Sequence, residues 1–188
     1  MMDERRAEPA AVALVGFMGA GKTAVGRELA AAWGLPFVDT DDLVVAQAGP
    51  IDQVFKERGE VGFRALEARV VTAAVEEALE RPCVLALGGG AVLSDDVRAA
   101  LARLPHVVWL TAPVEVLWAR VTAKGEAVRP LAADRTAFTA LLAAREPFYR
   151  DVATHVADAV GTPAAVAAGI AAALADDGAR ARAEGGAR

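Results

Sequence analysis

Short apolar runs alternate along the chain with longer segments that have helical periodicity. The runs, at residues 11–15, 35–38, 84–87, 107–110 and more weakly 155–160, are typical of strands buried on both faces. The helical segments are residues 23–33, 62–79, 95–104, 114–122 and 136–152. This alternation predicts right-handed crossovers, and hence an α/β fold with a five-stranded parallel sheet and helices on both faces.

Two regions break the alternation within a single predicted domain of residues 11–176. Residues 41–80 hold consecutive helical segments without a strand, which predicts an inserted helical subdomain. Residues 123–134 are polar and marked by glycine and proline, as expected of a mobile lid. Residues 1–10 form a polar extension, and residues 177–188 lack an apolar period, so we expect a disordered tail there.

Composition excludes several classes of function. A net charge of −5 disfavours nucleic acid and anionic membranes as partners. The longest apolar stretch, residues 164–175, would span only about 18 Å as a helix, against a hydrocarbon core of roughly 30 Å. The polar start resembles no signal peptide, and a single cysteine, Cys83, allows no internal disulfide. We therefore expect a cytoplasmic protein.

The segment from Gly16 to Thr23, GFMGAGKT, lies between the first predicted strand and the first predicted helix. It matches the phosphate-binding pattern G-x-x-x-x-G-K-[ST], in which backbone N–H groups and a helix N-terminus surround phosphate oxygens. Lys22 would reach the β- and γ-phosphates, and the Thr23 hydroxyl would ligate Mg²⁺. The nucleotide-binding residues predicted here are Gly19, Ala20, Gly21, Lys22, Thr23 and Ala24.

Asp39 and Asp41 follow the second predicted strand, so they lie at the carboxyl edge of the sheet beside this loop. One carboxylate would hold Mg²⁺ through water, and the other would orient or deprotonate an attacking hydroxyl. An alternative is that an aspartate here caps the next helix. Capping accounts for one acidic residue but not for two.

Two arginines fall on apolar helical faces. Arg64 shares a predicted stripe with Val61, Ala68, Val71, Val75 and Ala78, and Arg145 shares one with Phe138, Leu141, Leu142, Phe148 and Tyr149. A buried guanidinium needs a partner, which is either a protein carboxylate or an anionic substrate. Beside a phosphate loop, two such arginines favour the substrate. Arg129, in the predicted lid, would close over the γ-phosphate.

Three glycines, Gly88, Gly89 and Gly90, end the third predicted strand, where a bare backbone can approach a ligand closely. Together the motifs GFMGAGKT (16–23), DTD (39–41), GEVGFRALE (59–67), GGGAV (88–92), VRPL (128–131) and REPFYR (145–150) resemble the shikimate kinase family, and the match runs over residues 12–176. The resemblance implies a three-layer P-loop fold in which residues 41–80 form the substrate-binding subdomain. It also implies transfer of the ATP γ-phosphate to the 3-hydroxyl of shikimate, in the route to chorismate and aromatic amino acids.

The resemblance also implies roles for individual residues. Lys22, Asp41 and Arg129 would be catalytic, and Thr23 and Asp39 would hold one Mg²⁺ ion with ATP. Asp41 would bind shikimate hydroxyls, Arg64 and Arg145 the carboxylate, and Gly88, Gly89 and Gly90 would flank the ring. Ile51, Phe55 and Phe63 would form apolar walls, and Arg120 and Pro163 would lie near the adenine. Leu87 stands where many relatives have a hydroxyl residue.

Two other functions are open at this point. A carbohydrate or gluconate kinase would share the phosphate loop but fits the DTD, GFR and GGG motifs poorly. A nucleotide-binding protein without turnover would be expected to have lost Lys22, Asp41 or Arg129, and all three are present. We expect a monomer whose partners are ATP and shikimate.

Overall fold

The computed structural model describes residues 10–123 and 134–185, with side chains as far as residue 177. Within these residues five strands form one parallel sheet in the order β2-β3-β1-β4-β5. The strands are β1 (Val12–Val15), β2 (Phe37–Asp39), β3 (Val84–Ala86), β4 (His106–Thr111) and β5 (His155–Asp158). The predicted α/β fold is confirmed.

Helices connect these strands in the order that the periodicity predicts, and one more helix follows the last strand, where the periodicity predicted none. They are α1 (Lys22–Trp33), α2 (Thr40–Ala48), α3 (Ile51–Glu80), α4 (Asp95–Leu101), α5 (Val114–Ala123), α6 (Arg135–Val152) and α7 (Pro163–Gly185). A single 3₁₀ turn, Ala91–Leu93, follows the three glycines in the described part of the chain. Each crossover returns to the same edge of the sheet, so the carboxyl ends of β1, β2 and β3 lie side by side.

Strand β1 forms at the centre of the sheet because all four of its side chains are apolar and buried on both faces. Its neighbours β3 and β4 supply Val84, Leu85, Val107 and Val108, each of them at most 1% exposed. This core positions the turn after β1 rigidly, and that turn is the predicted phosphate loop.

Helices α2 and α3 have a second, smaller core of their own. The helical segment of α3 is interrupted at Gly59, where φ is 65°, a left-handed conformation that favours glycine. Residues of α3 on both sides of Gly59, as far as Val70, contribute to this second core, and the buried residues from Val71 onward pack in the main core. The buried members of the second core are Val44, Val54, Phe63, Leu66 and Val70.

The structure differs from the predicted pattern in two places. Helix α7 continues to Gly185, so the prediction of disorder from residue 177 is wrong as far as residue 185. Alanine, arginine and glutamate are strong helix formers, and they extend an anchored helix without an apolar period. Val61 is 84% exposed, so it does not belong to the apolar face of α3. No helix of the described residues has the length and apolar character needed to cross a membrane.

His106, at the start of β4, provides a test of this packing by pH. Its buried Nδ1 atom has no hydrogen-bond partner among the described residues, and its ring lies 5.6 Å from that of His155. Burial lowers the pKa of His106, and the charge of His155 adds to the effect. The unfolded chain therefore takes up a proton more readily than the folded one, so stability is lost as the pH falls below about 6.5.

When the pH is lowered from about 7 to about 5, we expect the free energy of unfolding to decrease less in His106→Gln than in the wild type. Urea unfolding at both pH values measures this difference. Equal losses in the two proteins would show that His106 carries no part of the pH dependence.

Candidate active site

The phosphate loop joins β1 to α1 in the conformation that anion binding requires. Gly19 and Gly21 have φ angles of 82° and 88°, and Gly21 directly precedes the first turn of α1. The Lys22 ammonium donates to the carbonyl oxygens of Gly16 at 2.7 Å and Phe17 at 3.1 Å. Backbone N–H groups, a helix N-terminus and a lysine are thus gathered around one concavity.

Thr23 and Asp39 meet at the edge of this concavity. The Thr23 hydroxyl donates to Asp39 Oδ2 at 2.8 Å, while Asp39 Oδ1 accepts from the N–H of Asp41 at 3.1 Å. Asp39 is therefore also the N-cap of α2, as the alternative interpretation held. A hydroxyl and one carboxylate are oxygen ligands of the kind that Mg²⁺ takes together with substrate phosphates and water. In the described chain no group of three metal-ligating side chains forms a cage.

The loop formed by Gly88, Gly89 and Gly90 is the point at which the predicted site residues converge. A Cβ atom on Gly88 would lie 2.6 Å from Asp41 Oδ1 and 2.9 Å from Glu67 Oε1, and one on Gly90 would overlap the Arg64 guanidinium. Gly89 lies against the phosphate loop, because its Cβ position is 3.4 Å from the carbonyl oxygen of Gly16. Side chains at these positions would separate the groups that now surround the loop.

Arg64 has protein partners, as the ion-pair alternative predicts. Its Nη1 donates to Glu67 at 2.6 Å, and its Nε lies 3.7 Å from Glu60. Its guanidinium carbon lies 5.2 Å from the centre of the Phe63 ring. The guanidinium is only partly exposed, and its buried Nε makes no hydrogen bond within the described residues.

Glu67 is a site residue that sequence reasoning missed. It is 4% exposed, and burial raises its pKa, an effect that Arg64 partly offsets. Its acidic neighbour Asp41 raises the pKa of Glu67 further. The signal in the sequence was its spacing of three residues from Arg64 on the same helix, which places the two side chains next to each other.

Arg145 is 5% exposed and has no carboxylate partner among the described side chains. Its Nη1 donates to the Gly89 carbonyl at 3.3 Å, its guanidinium lies 5.7 Å from the centre of the Phe17 ring, and its buried Nε makes no hydrogen bond to a described residue. Burial lowers the pKa of Arg145, and the charge of Arg64 acts in the same direction, while Tyr149 and the more distant Glu67 partly offset this lowering. The two guanidinium groups therefore converge on the glycine loop from α3 and α6.

Two cavities meet at the glycine loop. A cleft of about 530 Å³ runs from the phosphate loop past Asp39 and Asp41 to Gly88 and Gly89. A groove of about 1200 Å³ between α3 and α4 contains Arg64, Glu67 and Gly90. The first has the phosphate-binding groups together with Asp41, and the second has Arg64, so both cavities reach the loop at which the predicted site residues converge.

The remaining predicted residues lie around this centre. Arg120 donates to the carbonyls of Gly19 at 3.3 Å and Ala159 at 2.8 Å, and with Pro163, at the start of α7, it lines the phosphate-side cleft. Phe55 and Phe63 stack with their ring centres 4.3 Å apart in the second core, against which Ile51 packs. Arg129 and the predicted lid, apart from its end residues 123 and 134, lie outside the described residues.

Comparisons with known proteins agree with this geometry. The family model of shikimate kinase matches residues 18–175. A shikimate kinase from Saccharopolyspora erythraea is 51% identical over 150 residues, which are 78% of this chain and 82% of that protein. The structure of the shikimate kinase from Acinetobacter baumannii in complex with shikimate superposes with a TM-score of 0.82 at 33% identity, covering 90% of this chain and 94% of that one. A gluconokinase from Sinorhizobium meliloti covers 95% of this chain and 99% of its own, with a TM-score of 0.68 at 21% identity, which is a likeness of fold alone.

A phosphate loop at the carboxyl edge of a five-stranded parallel sheet, with a lysine, a hydroxyl–carboxylate pair and an adjoining groove, defines a P-loop kinase of small molecules. Within that class of kinases, the family model and the similar sequences point to one family. The chain belongs to the shikimate kinase family.

We expect Lys22→Met to abolish phosphoryl transfer, because it removes the ammonium from the phosphate loop while leaving the backbone N–H groups that bind phosphate. Turnover measured by ADP release should fall by about three orders of magnitude or more, with weakened but measurable ATP binding. Lys56→Met is the matched control, since Lys56 is exposed and pairs only with Asp52 in the described structure. Turnover near that of the wild type in Lys22→Met would show that this loop is not catalytic.

Proposed function

We propose that this protein transfers the γ-phosphate of ATP to the 3-hydroxyl of shikimate, giving shikimate 3-phosphate and ADP. The phosphate loop would bind ATP through Gly19, Ala20, Gly21, Lys22, Thr23 and Ala24. Shikimate would lie at the glycine loop, between Asp41 and the two converging arginines. Membership of the shikimate kinase family supports this assignment.

The Arg145 guanidinium is the main support for an acidic acceptor. It is 5% exposed and has no carboxylate partner in the described part of the chain, although a buried cation without a counter-ion is costly. Arg64 approaches the same loop and retains a buried Nε without a hydrogen bond to a described residue. A bound carboxylate would supply the missing negative charge and accept the planar N–H donors of a guanidinium.

Asp41 is the proposed base for the attacking hydroxyl. It lines the phosphate-side cleft and lies against Gly88, so it faces both the nucleotide and the acceptor. It would hold the 3-hydroxyl in line with the γ-phosphorus and take its proton as the new O–P bond forms. Lys22 would stabilise the negative charge on the transferring phosphoryl group.

Thr23 and Asp39 would hold Mg²⁺ beside the phosphates. The donor chemistry fits, because both groups offer oxygen and already lie within 2.8 Å of each other. When bound, Mg²⁺ neutralises charge on the β- and γ-phosphates. We further propose that Arg129 is a third catalytic residue and that Arg120 and Pro163 lie near the adenine of ATP. The protein would act as a monomer in the cytoplasm.

A substrate panel separates this function from its alternatives. We expect the purified protein with ATP and Mg²⁺ to release ADP with shikimate, and far more slowly with gluconate or quinate. Gluconate has no ring to lie beside the glycine loop, and a binding protein without turnover would release no ADP with any of the three. Preferential turnover of gluconate would contradict the proposal.

We expect Arg145→Ala to lose shikimate affinity while keeping ATP affinity, because one partner of a buried charge pair is removed. The cost of such a loss is about 2–5 kcal/mol, which is a weakening of roughly 30-fold or more. Arg150→Ala is the matched control on the same helix, where Arg150 is exposed. Calorimetric titration with each ligand measures both affinities. Normal shikimate affinity in folded Arg145→Ala would assign Arg145 a structural role only.

A further inference from the structure

Two buried hydroxyl groups form hydrogen bonds with the backbone of the glycine loop. The Gly88 N–H donates to Thr40 Oγ1 at 3.1 Å, and the Tyr149 hydroxyl donates to the Gly89 carbonyl at 2.5 Å. Thr40 is 1% exposed and Tyr149 is not exposed at all. The bond to Thr40 is therefore shielded from water, which would otherwise compete for the same groups, and the bond from Tyr149 is shielded on the side of its hydroxyl.

Each hydroxyl is adjacent in the chain to groups of the proposed acceptor site. Thr40 lies between Asp39 and Asp41 at the start of α2. Tyr149 lies one helical turn after Arg145 on α6, and both residues donate to the same Gly89 carbonyl. The loop, the aspartates and the arginine are thus connected through these two hydrogen bonds.

The bond from Tyr149 also determines which way the next amide points. The chain has no cis peptide bond in the described residues, so the Gly89–Gly90 peptide is trans and planar. In such a peptide the Gly90 N–H points opposite to the Gly89 carbonyl, and hence away from Tyr149. The carbonyls of Gly88 and Gly90 accept from Ala91 and Leu93, both at 3.0 Å, so the three carbonyls of the loop all have partners.

Burial keeps Tyr149 a hydrogen-bond donor under all ordinary conditions, because it raises the pKa of Tyr149 to about 12. The ring packs against Trp109, with centroids 6.1 Å apart, so the hydroxyl has little freedom to move away. Three glycines in succession are conformationally free in an isolated chain. The two hydroxyls remove that freedom where the loop must keep one shape.

We propose that Thr40 and Tyr149 are positioning residues for the acceptor substrate: their hydroxyls hold the Gly88–Gly90 loop in the one arrangement that lets Asp41, Arg64 and Arg145 act on the same molecule. This rests on the proposed function, in which shikimate binds at that loop. Neither side chain touches the reacting atoms.

The test is a set of variants assayed for KM and kcat with each substrate. We expect Tyr149→Phe, which keeps the ring against Trp109, and Thr40→Val, which keeps the shape of threonine, to raise the shikimate KM by about 5- to 30-fold. The ATP KM should stay within about two-fold of the wild type, since the phosphate loop keeps its own contacts. Thr40→Ser retains the hydroxyl and should restore the shikimate KM.

Thr154→Val is the matched control for loss of a hydroxyl. Thr154 accepts from the Val107 N–H at 2.9 Å at the opposite end of the sheet, so its loss tests general destabilisation without touching the loop. We expect its shikimate KM to equal that of the wild type. A second readout is the ¹H–¹⁵N resonance of Gly90, which should shift in Tyr149→Phe and not in Thr154→Val.

The outcomes distinguish this proposal from the proposed function. If the wild type does not phosphorylate shikimate, the proposed function fails and the proposal fails with it. If the wild type is active and the shikimate KM of both hydroxyl variants stays within about two-fold of it, the positioning role alone is overturned. A parallel rise of both KM values, or no rescue by Thr40→Ser, would also overturn it. If Tyr149→Phe does not fold, the positioning role is tested by comparing the shikimate KM of Thr40→Val with that of Thr40→Ser.

Discussion

The absence of side chains at Gly88, Gly89 and Gly90 is the constraint on which the rest of the site depends. The space that Cβ atoms would need is taken by Asp41, Glu67 and Arg64, and Gly89 lies against the phosphate loop. Helices α2, α3 and α6 and the turn after β1 can therefore bring their polar groups to one place. The same bare backbone is flexible by itself, so its shape has to come from outside the loop.

That shape comes from buried polar groups, which must be satisfied because they are removed from water. Thr40 and Tyr149 bond to the backbone of the loop, while Arg64 and Glu67 neutralise each other beside it. Arg145 is the exception, since its buried charge has no carboxylate partner in the described chain. Arrangements of this kind are costly in a resting protein and are found where a ligand completes them.

The main core and the smaller core of α2 and α3 position different parts of the candidate site. Strand β1, buried on both faces, supports the phosphate loop. The smaller core around Val54 and Phe63 carries Arg64 and Glu67, and it is joined to the first core along α3 beyond Gly59. The phosphate loop is therefore built on the sheet, while Arg64, Glu67 and Arg145 come from helices that pack on it.

The sequence by itself determined the alternation of strands and helices as far as β5, the α/β fold and the phosphate loop, because apolar periodicity and the spacing of GFMGAGKT are local properties. It also identified the family through six ordered motifs. Only the tertiary structure decided that Arg64 is paired while Arg145 has no carboxylate partner among the described side chains, that Glu67 belongs to the site, and that Thr40 and Tyr149 hold the glycine loop. Those contacts join residues up to 60 positions apart, as between Gly89 and Tyr149, and no local pattern encodes which buried donor meets which acceptor.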